Sequence, residues 1–333
     1  MPLRQQVSKN HKEILVKLSA LESLLLSNEY MKILLTGANG LLGQKLVELI
    51  LSKGEHELIA TARGENRLPI KEGYTYQPLD ITNKEDVIFA FAKYQPDAVI
   101  NTAAMTNVDQ CELEKEAGWN ANVNSVQYLV EACEAQKAYL LHLSTDFIFD
   151  GLKGPLTEEE TPAPVNYYGE GKLAAEKIIL NSNLKWAMAR TVLVYGVVSD
   201  MSRSNIILWV KNSLETGKAI NVVDDQWRTP TLAEDLAMGC YLIVEQQATG
   251  IYNISGKDML TPYDMAIKVR DYFDLDGSLI SRVDSSTFSQ PAKRPAKTGF
   301  IIDKAVKELG YAPRSFDEGI EIVSNQVIGI KKL

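Results

Sequence analysis

Tyr168 and Lys172 stand four residues apart in Tyr-Gly-Glu-Gly-Lys, so in a helix they share one face. A free phenol, with a pKa of about 10, is a poor proton relay at neutral pH. A neighbouring ammonium favours the phenolate and draws that pKa toward the working range. The pair therefore points to general acid–base chemistry with Tyr168 as proton donor. Thr145, in Ser144-Thr145-Asp146 at the end of an apolar run, is placed to donate a hydrogen bond to the same substrate oxygen. A second constellation is Gly37-Ala38-Asn39-Gly40-Leu41-Leu42-Gly43, between a strand-like run and a helical one. Its missing side chains permit a tight turn, and the helix start beyond it offers free N–H groups to a pyrophosphate.

These residues need a frame, and the hydrophobic pattern supplies one. Strand-like runs at 32–36, 58–62, 74–79, 98–101, 139–143 and 186–190 alternate with helical runs at 41–51, 84–93, 115–136 and 167–181. Such alternation predicts an α/β fold, a doubly wound parallel sheet covered on both faces. Residues 31–195 read as the nucleotide-binding domain, with a late segment at about 219–240 returning to it. Residues 196–218 and 241–333 read as a smaller mixed α/β substrate-binding lobe. Ile14, Leu18, Leu21 and Leu25 recur at helical spacing, so residues 1–30 read as an amphipathic extension that ends just before the first strand.

Composition narrows the class. A 45% hydrophobic and 23% charged chain is an ordinary globular one. The net charge of -8 argues against a polyanion-binding surface, so no nucleic-acid partner is expected. Cys111, Cys133 and Cys240 form no CxxC pair and read as apolar filler, which suits a reducing, cytoplasmic setting. His11, His56 and His142 are equally scattered, and no metal site is assigned. No apolar run reaches the roughly 18–20 residues needed to span a bilayer.

The glycine spacing is GxxGxxG, which resembles the extended branch of the short-chain dehydrogenase/reductase superfamily. Further matches follow in that family's order: Asp80-Ile81 near the adenine, Asn101-Thr102-Ala103-Ala104 closing the fourth strand, and Asn122 holding active-site backbone. The phrases beginning at Ser144, Tyr168, Arg190, Asp225 and Lys293 together resemble the dTDP-4-dehydrorhamnose reductase family over residues 31 to about 315. The resemblance implies reduction of the 4-keto group of dTDP-4-dehydro-6-deoxy-L-mannose to dTDP-L-rhamnose. It also implies cofactor contacts from Gly37, Asn39, Gly40, Leu41, Leu42, Gly43, Asp80, Ile81, Ala103, Ala104, Tyr168 and Lys172. Thr106, Asp146, Phe147 and Arg228 are the expected sugar contacts, and Arg294 the diphosphate contact.

Dinucleotide enzymes that use NAD usually carry an acid at the end of the second strand. This chain has Thr61-Ala62-Arg63 there, which favours NADPH with tolerance of NADH. Magnesium, which some relatives hold at a dimer contact, is left unassigned, and a homodimer is the matching partner expectation. Two departures stand out: Phe147 replaces a usual Tyr, and Gln-Trp-Arg replaces the usual Gln-x-Gly. Phe147 also stands where sugar-nucleotide dehydratases carry a catalytic Glu. Arg63 argues against an epimerase, which needs tightly retained NAD. A rival of another class is the regulatory β subunit of methionine adenosyltransferase, which resembles the same reductases and would hold NADP as a structural ligand.

Overall fold

Lys32–Thr36 (β1) reads Lys-Ile-Leu-Leu-Thr and is buried along almost its whole length, as a strand covered by helices on both faces must be. The structure, a computed structural model, describes residues 30–201 and 204–330. The helix expected within residues 1–30 thus lies outside the described residues. β1 is an interior strand of a seven-stranded parallel sheet. Its other strands are Glu57–Ala62 (β2), Thr75–Pro78 (β3), Ala98–Asn101 (β4), Tyr139–Thr145 (β5), Trp186–Thr191 (β6) and a late one, Gly250–Asn253. The order is late strand, β6, β5, β4, β1, β2, β3, every neighbouring pair parallel. Strand order therefore reverses beside β1, where β2 lies on one side and β4 on the other. Ligands of open α/β sheets bind in the crevice at the carboxyl ends of such strands.

Helices cover both faces. Leu41–Lys53 (α1) lies on one face, and Lys84–Tyr94 (α2), Ser125–Gln136 and Tyr167–Leu180 lie on the other. The two apolar layers are separate: Ile33 and Leu35 of β1 pack into the first, and Leu34 into the second. This alternation is the strand's period of two.

The expected single helix over 115–136 is three pieces. After a separate short helix, Val108–Leu113 (α3), the pieces are Lys115–Trp119 (α4), a π-helical turn at Asn120–Asn124 and Ser125–Gln136 (α5). A π turn adds a residue to the helical ladder and is found mostly at functional sites. Tyr167–Leu180 (α6) then carries Tyr168 and Lys172.

The return to the main sheet differs from the expected 219–240. It runs through Ala233–Glu245, which packs against α1, and the late strand Gly250–Asn253, which pairs with β6. Val194–Tyr195 (β7), Ile206–Glu215 (α7), Ile220–Val223 (β8) and Thr231–Leu232 (β9) come before it. In this numbering the return is α8 and β10, followed by Pro262–Phe273 (α9), Ile280–Val283 (β11), Asp303–Leu309 (α10) and Phe316–Ile330 (α11). β8 pairs with β11 instead of the main sheet. The reason is packing: Ile220, Val222 and Leu232 join Leu208, Met265, Val269, Phe316 and Ile320 in a third apolar core, that of the small lobe.

Candidate active site

The turn between β1 and α1 is built for close approach. Gly37 has φ +72°, and a Cβ there would lie 2.7 Å from Thr102 Oγ1 and 2.9 Å from Ala103 N. At Gly43 a Cβ would lie 2.3 Å from the Gly37 carbonyl oxygen. Gly40 caps α1 with extended backbone and no side-chain hydrogen bond, so the first N–H groups, including those of Leu41 and Leu42, carry no side-chain cap. A pyrophosphate fits that cradle through backbone donors and helix polarity. Ala103 donates its N–H to Thr36 Oγ1 at 3.3 Å, which fastens the end of β4 to the same turn. Ala104 and Thr106 are exposed on the loop that follows.

Asn39 has a tethering role. Its amide donates to the Glu65 carbonyl at 2.9 Å and accepts from Arg67 N at 3.0 Å, holding the loop after β2 against the glycine turn. That loop carries Arg63, exposed, and a second exposed cation, Arg67, which the sequence reasoning missed. Its signal was there, a second arginine four residues on in the same polar loop. Asp80 accepts from Thr82 N and Oγ1 in a tight turn after β3, with Ile81 buried behind it.

At the other side of the crevice, Asn166 caps α6 by accepting from Gly169 N at 2.8 Å, and its amide donates to the Lys293 carbonyl. Tyr168 stands in the first turn, 9% exposed, edge-on to Phe147 at 6.0 Å between ring centroids. Burial pushes its phenol well above the usual value, and the Thr145 hydroxyl beside it works the other way. This differs from the expected lowering by Lys172. The lysine's amine instead donates to the Leu143 carbonyl at 2.6 Å and meets His142 Nε2 at 3.1 Å. Burial lowers Lys172 to about 8, and Glu176 one turn further along the helix opposes that shift. Glu176 is itself gripped by Arg190 through two bonds of 3.0 and 2.7 Å.

Asn122, on the π turn, accepts from Met105 N at 2.8 Å and donates to Met105 O at 2.9 Å. It thereby holds the backbone after β4, as the resemblance implied. Cys111 lies buried behind this loop, its thiol donating to the Met105 carbonyl, while Cys133 and Cys240 sit in the apolar layers.

The expected substrate contacts divide. Phe147 stands edge-on beside Tyr168. Asp146 and Arg228 face inward instead: Asp146 accepts from Thr145 and Thr298, and Arg228 lies 3.7 Å from its carboxylate. Arg228 is 5% exposed and donates to the carbonyls of Trp227, Pro295 and Ala296. Three carbonyl bonds and the inward-facing ion pair with Asp146 make Arg228 a brace for this loop. Arg294 forms a two-pronged pair with Asp109, both bonds 2.7 Å, so its charge is already countered within the protein.

A crevice with a dinucleotide turn on one side and a buried Tyr–Lys–Thr constellation on the other defines an extended short-chain dehydrogenase/reductase. Residues 31–328 match the family model described as RmlD substrate binding domain, and the chain belongs to that family. It is 30% identical over 302 residues to dTDP-4-dehydrorhamnose reductase of Aggregatibacter actinomycetemcomitans, covering 87% of this chain and 97% of that protein. It is equally 30% identical over 289 residues to methionine adenosyltransferase 2 subunit beta of Rattus norvegicus, covering 85% and 84%. Among solved structures, dTDP-4-dehydrorhamnose reductase of Bacillus anthracis in complex with NADP superposes with TM-score 0.77. Identity there is 26%, over 90% of this chain and all of that one.

Proposed function

We propose that the protein reduces the 4-keto group of dTDP-4-dehydro-L-rhamnose with NADPH, yielding dTDP-L-rhamnose. The observation that carries this reading is the burial of Tyr168, Lys172 and Thr145 together at the carboxyl end of β5, across the crevice from the glycine turn. A nicotinamide bound there supplies the hydride that turns the ketone into an alkoxide. Tyr168, kept fully protonated by its burial, donates its phenolic proton to that oxygen. Thr145 turns its one hydroxyl proton from Asp146 to the same oxygen. Lys172 remains an ammonium below about pH 8. Its first two donors go to Leu143 O and His142, which leaves a third that would hold a ribose hydroxyl. Arg63 and Arg67 bind a 2′-phosphate, which is the basis for choosing NADPH. Phe147 and Thr106 contact the sugar. The likeness to the Aggregatibacter reductase supports this substrate class.

The test is NADPH consumption with a panel of 4-keto sugar nucleotides. Turnover of the L-rhamnose precursor, with dTDP-L-rhamnose as product, is the expected result. Absence of turnover with every keto sugar overturns the reading. A second reading, as an NADP-binding subunit that serves a methionine adenosyltransferase, draws on the equal identity to the rat subunit. Stable co-purification with such an enzyme, with no keto-sugar turnover, would favour it.

A further inference from the structure

The direction in which Lys172 points is decided by residues outside the catalytic set. His142 Nε2 lies 3.1 Å from Lys172 Nζ, and His142 Nδ1 lies 3.0 Å from Asn101 Nδ2. The other end of the Asn101 amide is 2.6 Å from Thr36 Oγ1, and Thr36 is the residue before Gly37. All four side chains are buried, none more than 3% exposed. The result is a single polar file running from the carboxyl ends of β1 and β4 to the middle of β5. It joins the glycine turn to the lysine through an otherwise apolar layer.

We infer that His142 is a positioning residue that holds the Lys172 amine as a neutral imidazole, with a tautomer that follows the charge of the lysine. The inference rests on the proposed function only in the use it assigns to Lys172. Donor counting carries it. A neutral imidazole has one N–H and one acceptor, and an ammonium cannot accept. While Lys172 is an ammonium, Nε2 must be bare and Nδ1 protonated. Nδ1–H then donates to Asn101 Oδ1, and Asn101 Nδ2 turns to Thr36. When Lys172 loses its proton, Nε2–H donates to the amine, Nδ1 accepts from Asn101 Nδ2, and Asn101 Oδ1 accepts from Thr36. The structure has Asn101 Nδ2 on His142 and Oδ1 on Thr36, which is the second file; turning the amide over exchanges its oxygen and nitrogen and gives the first.

While Lys172 is an ammonium an imidazolium is excluded, because it would aim an N–H at a buried cation, and burial disfavours it in either state. Burial and Lys172 accordingly both hold His142 well below its usual pKa. The other ionisable groups near Lys172 are Glu176 and Tyr168 on its own helix. Beyond them lie Arg190 from β6, which binds Glu176, and Asp146 and Cys111, whose fields reach Tyr168.

The test is a nitrogen NMR titration of the full chain labelled at histidine, with His142 assigned by its loss in His142→Gln. The expected record at about pH 6 is an Nδ1–H tautomer that converts to Nε2–H as pH rises through about 8, with no imidazolium between. NADPH binding is followed alongside. His142→Leu removes the acceptor, and affinity should fall about tenfold with its alkaline limb moved to lower pH. His142→Gln restores an acceptor and should restore both. A purely structural histidine would lower thermal stability in both variants and leave the limb in place. A tautomer that stays constant across the titration, or a Leu variant with the wild-type limb, overturns the inference. Neither readout needs a sugar substrate, so failure of keto-sugar turnover with the tautomer switch intact would count against the reduction alone.

Discussion

Replacing Gly43 by alanine tests whether the glycine turn is a ligand cradle. The new Cβ would lie 2.3 Å from Gly37 O, 2.6 Å from Ala38 Cα and 2.8 Å from Ala38 C. Ordinary carbon contacts need about 3.5–4.0 Å, so α1 and the turn must part by about 1 Å. All three atoms are backbone, and no rotamer change relieves the clash. Overpacking of this kind costs about 1–3 kcal/mol. The same shift misaims the N–H groups at the start of α1. At 1.4 kcal/mol per decade, NADPH affinity should then fall about tenfold to a hundredfold. Gly54→Ala is the control at the far end of α1. Gly54 has φ +67° with nothing within 4 Å of a new Cβ, so strain alone costs about 1–2 kcal/mol there. Calorimetric titration with NADPH and urea denaturation separate the two effects. Gly54→Ala should lose stability and keep its affinity, whereas Gly43→Ala should lose both. A Gly43→Ala protein that binds NADPH as tightly as wild type would refute the reasoning.

Other outcomes follow from the same geometry. Burial lowers Lys172 to about 8, so the ammonium is present below that pH and lost above it. The reduction rate should fall as pH rises through about 8, and a pH–rate profile flat to about pH 10 would contradict this. Arg228→Ala leaves the Asp146 carboxylate buried without its counter-charge and should cost about 3–5 kcal/mol in urea denaturation. Arg228→Ala combined with Asp146→Asn should recover part of that loss. The double variant Arg63→Ala/Arg67→Ala should lower the NADPH-over-NADH preference about tenfold or more, with NADH kinetics little changed.

The parts of this account that were legible in the sequence are those whose physics is local. The glycine turn sits between a strand and a helix that can each be read from their own residues. Tyr168 and Lys172 share a helix face by spacing alone. The parts that were not legible depend on partners far along the chain. Arg294 looks like a free phosphate-binding cation until Asp109, 185 residues earlier, is found gripping it. Arg228 and Asp146 likewise look like pocket residues until the fold turns them toward each other. The π turn at Asn120–Asn124 carries no propensity signal; it follows from seating Asn122 against Met105. β8 has the same apolar character as a main-sheet strand, and only packing with α7, α9 and α11 assigns it to the small lobe. His142 was one of three scattered histidines, and its position between Asn101 and Lys172 emerges only when neighbouring strands are in register.

The most direct test of the central claim is Tyr168→Phe, assayed in single turnover with NADPH and the 4-keto-L-rhamnose nucleotide. The ring and its edge contact with Phe147 are kept, and only the donated proton is removed. The account predicts a rate at least about a hundredfold lower with NADPH affinity unchanged. A variant that reduces the ketone at the wild-type rate would contradict it.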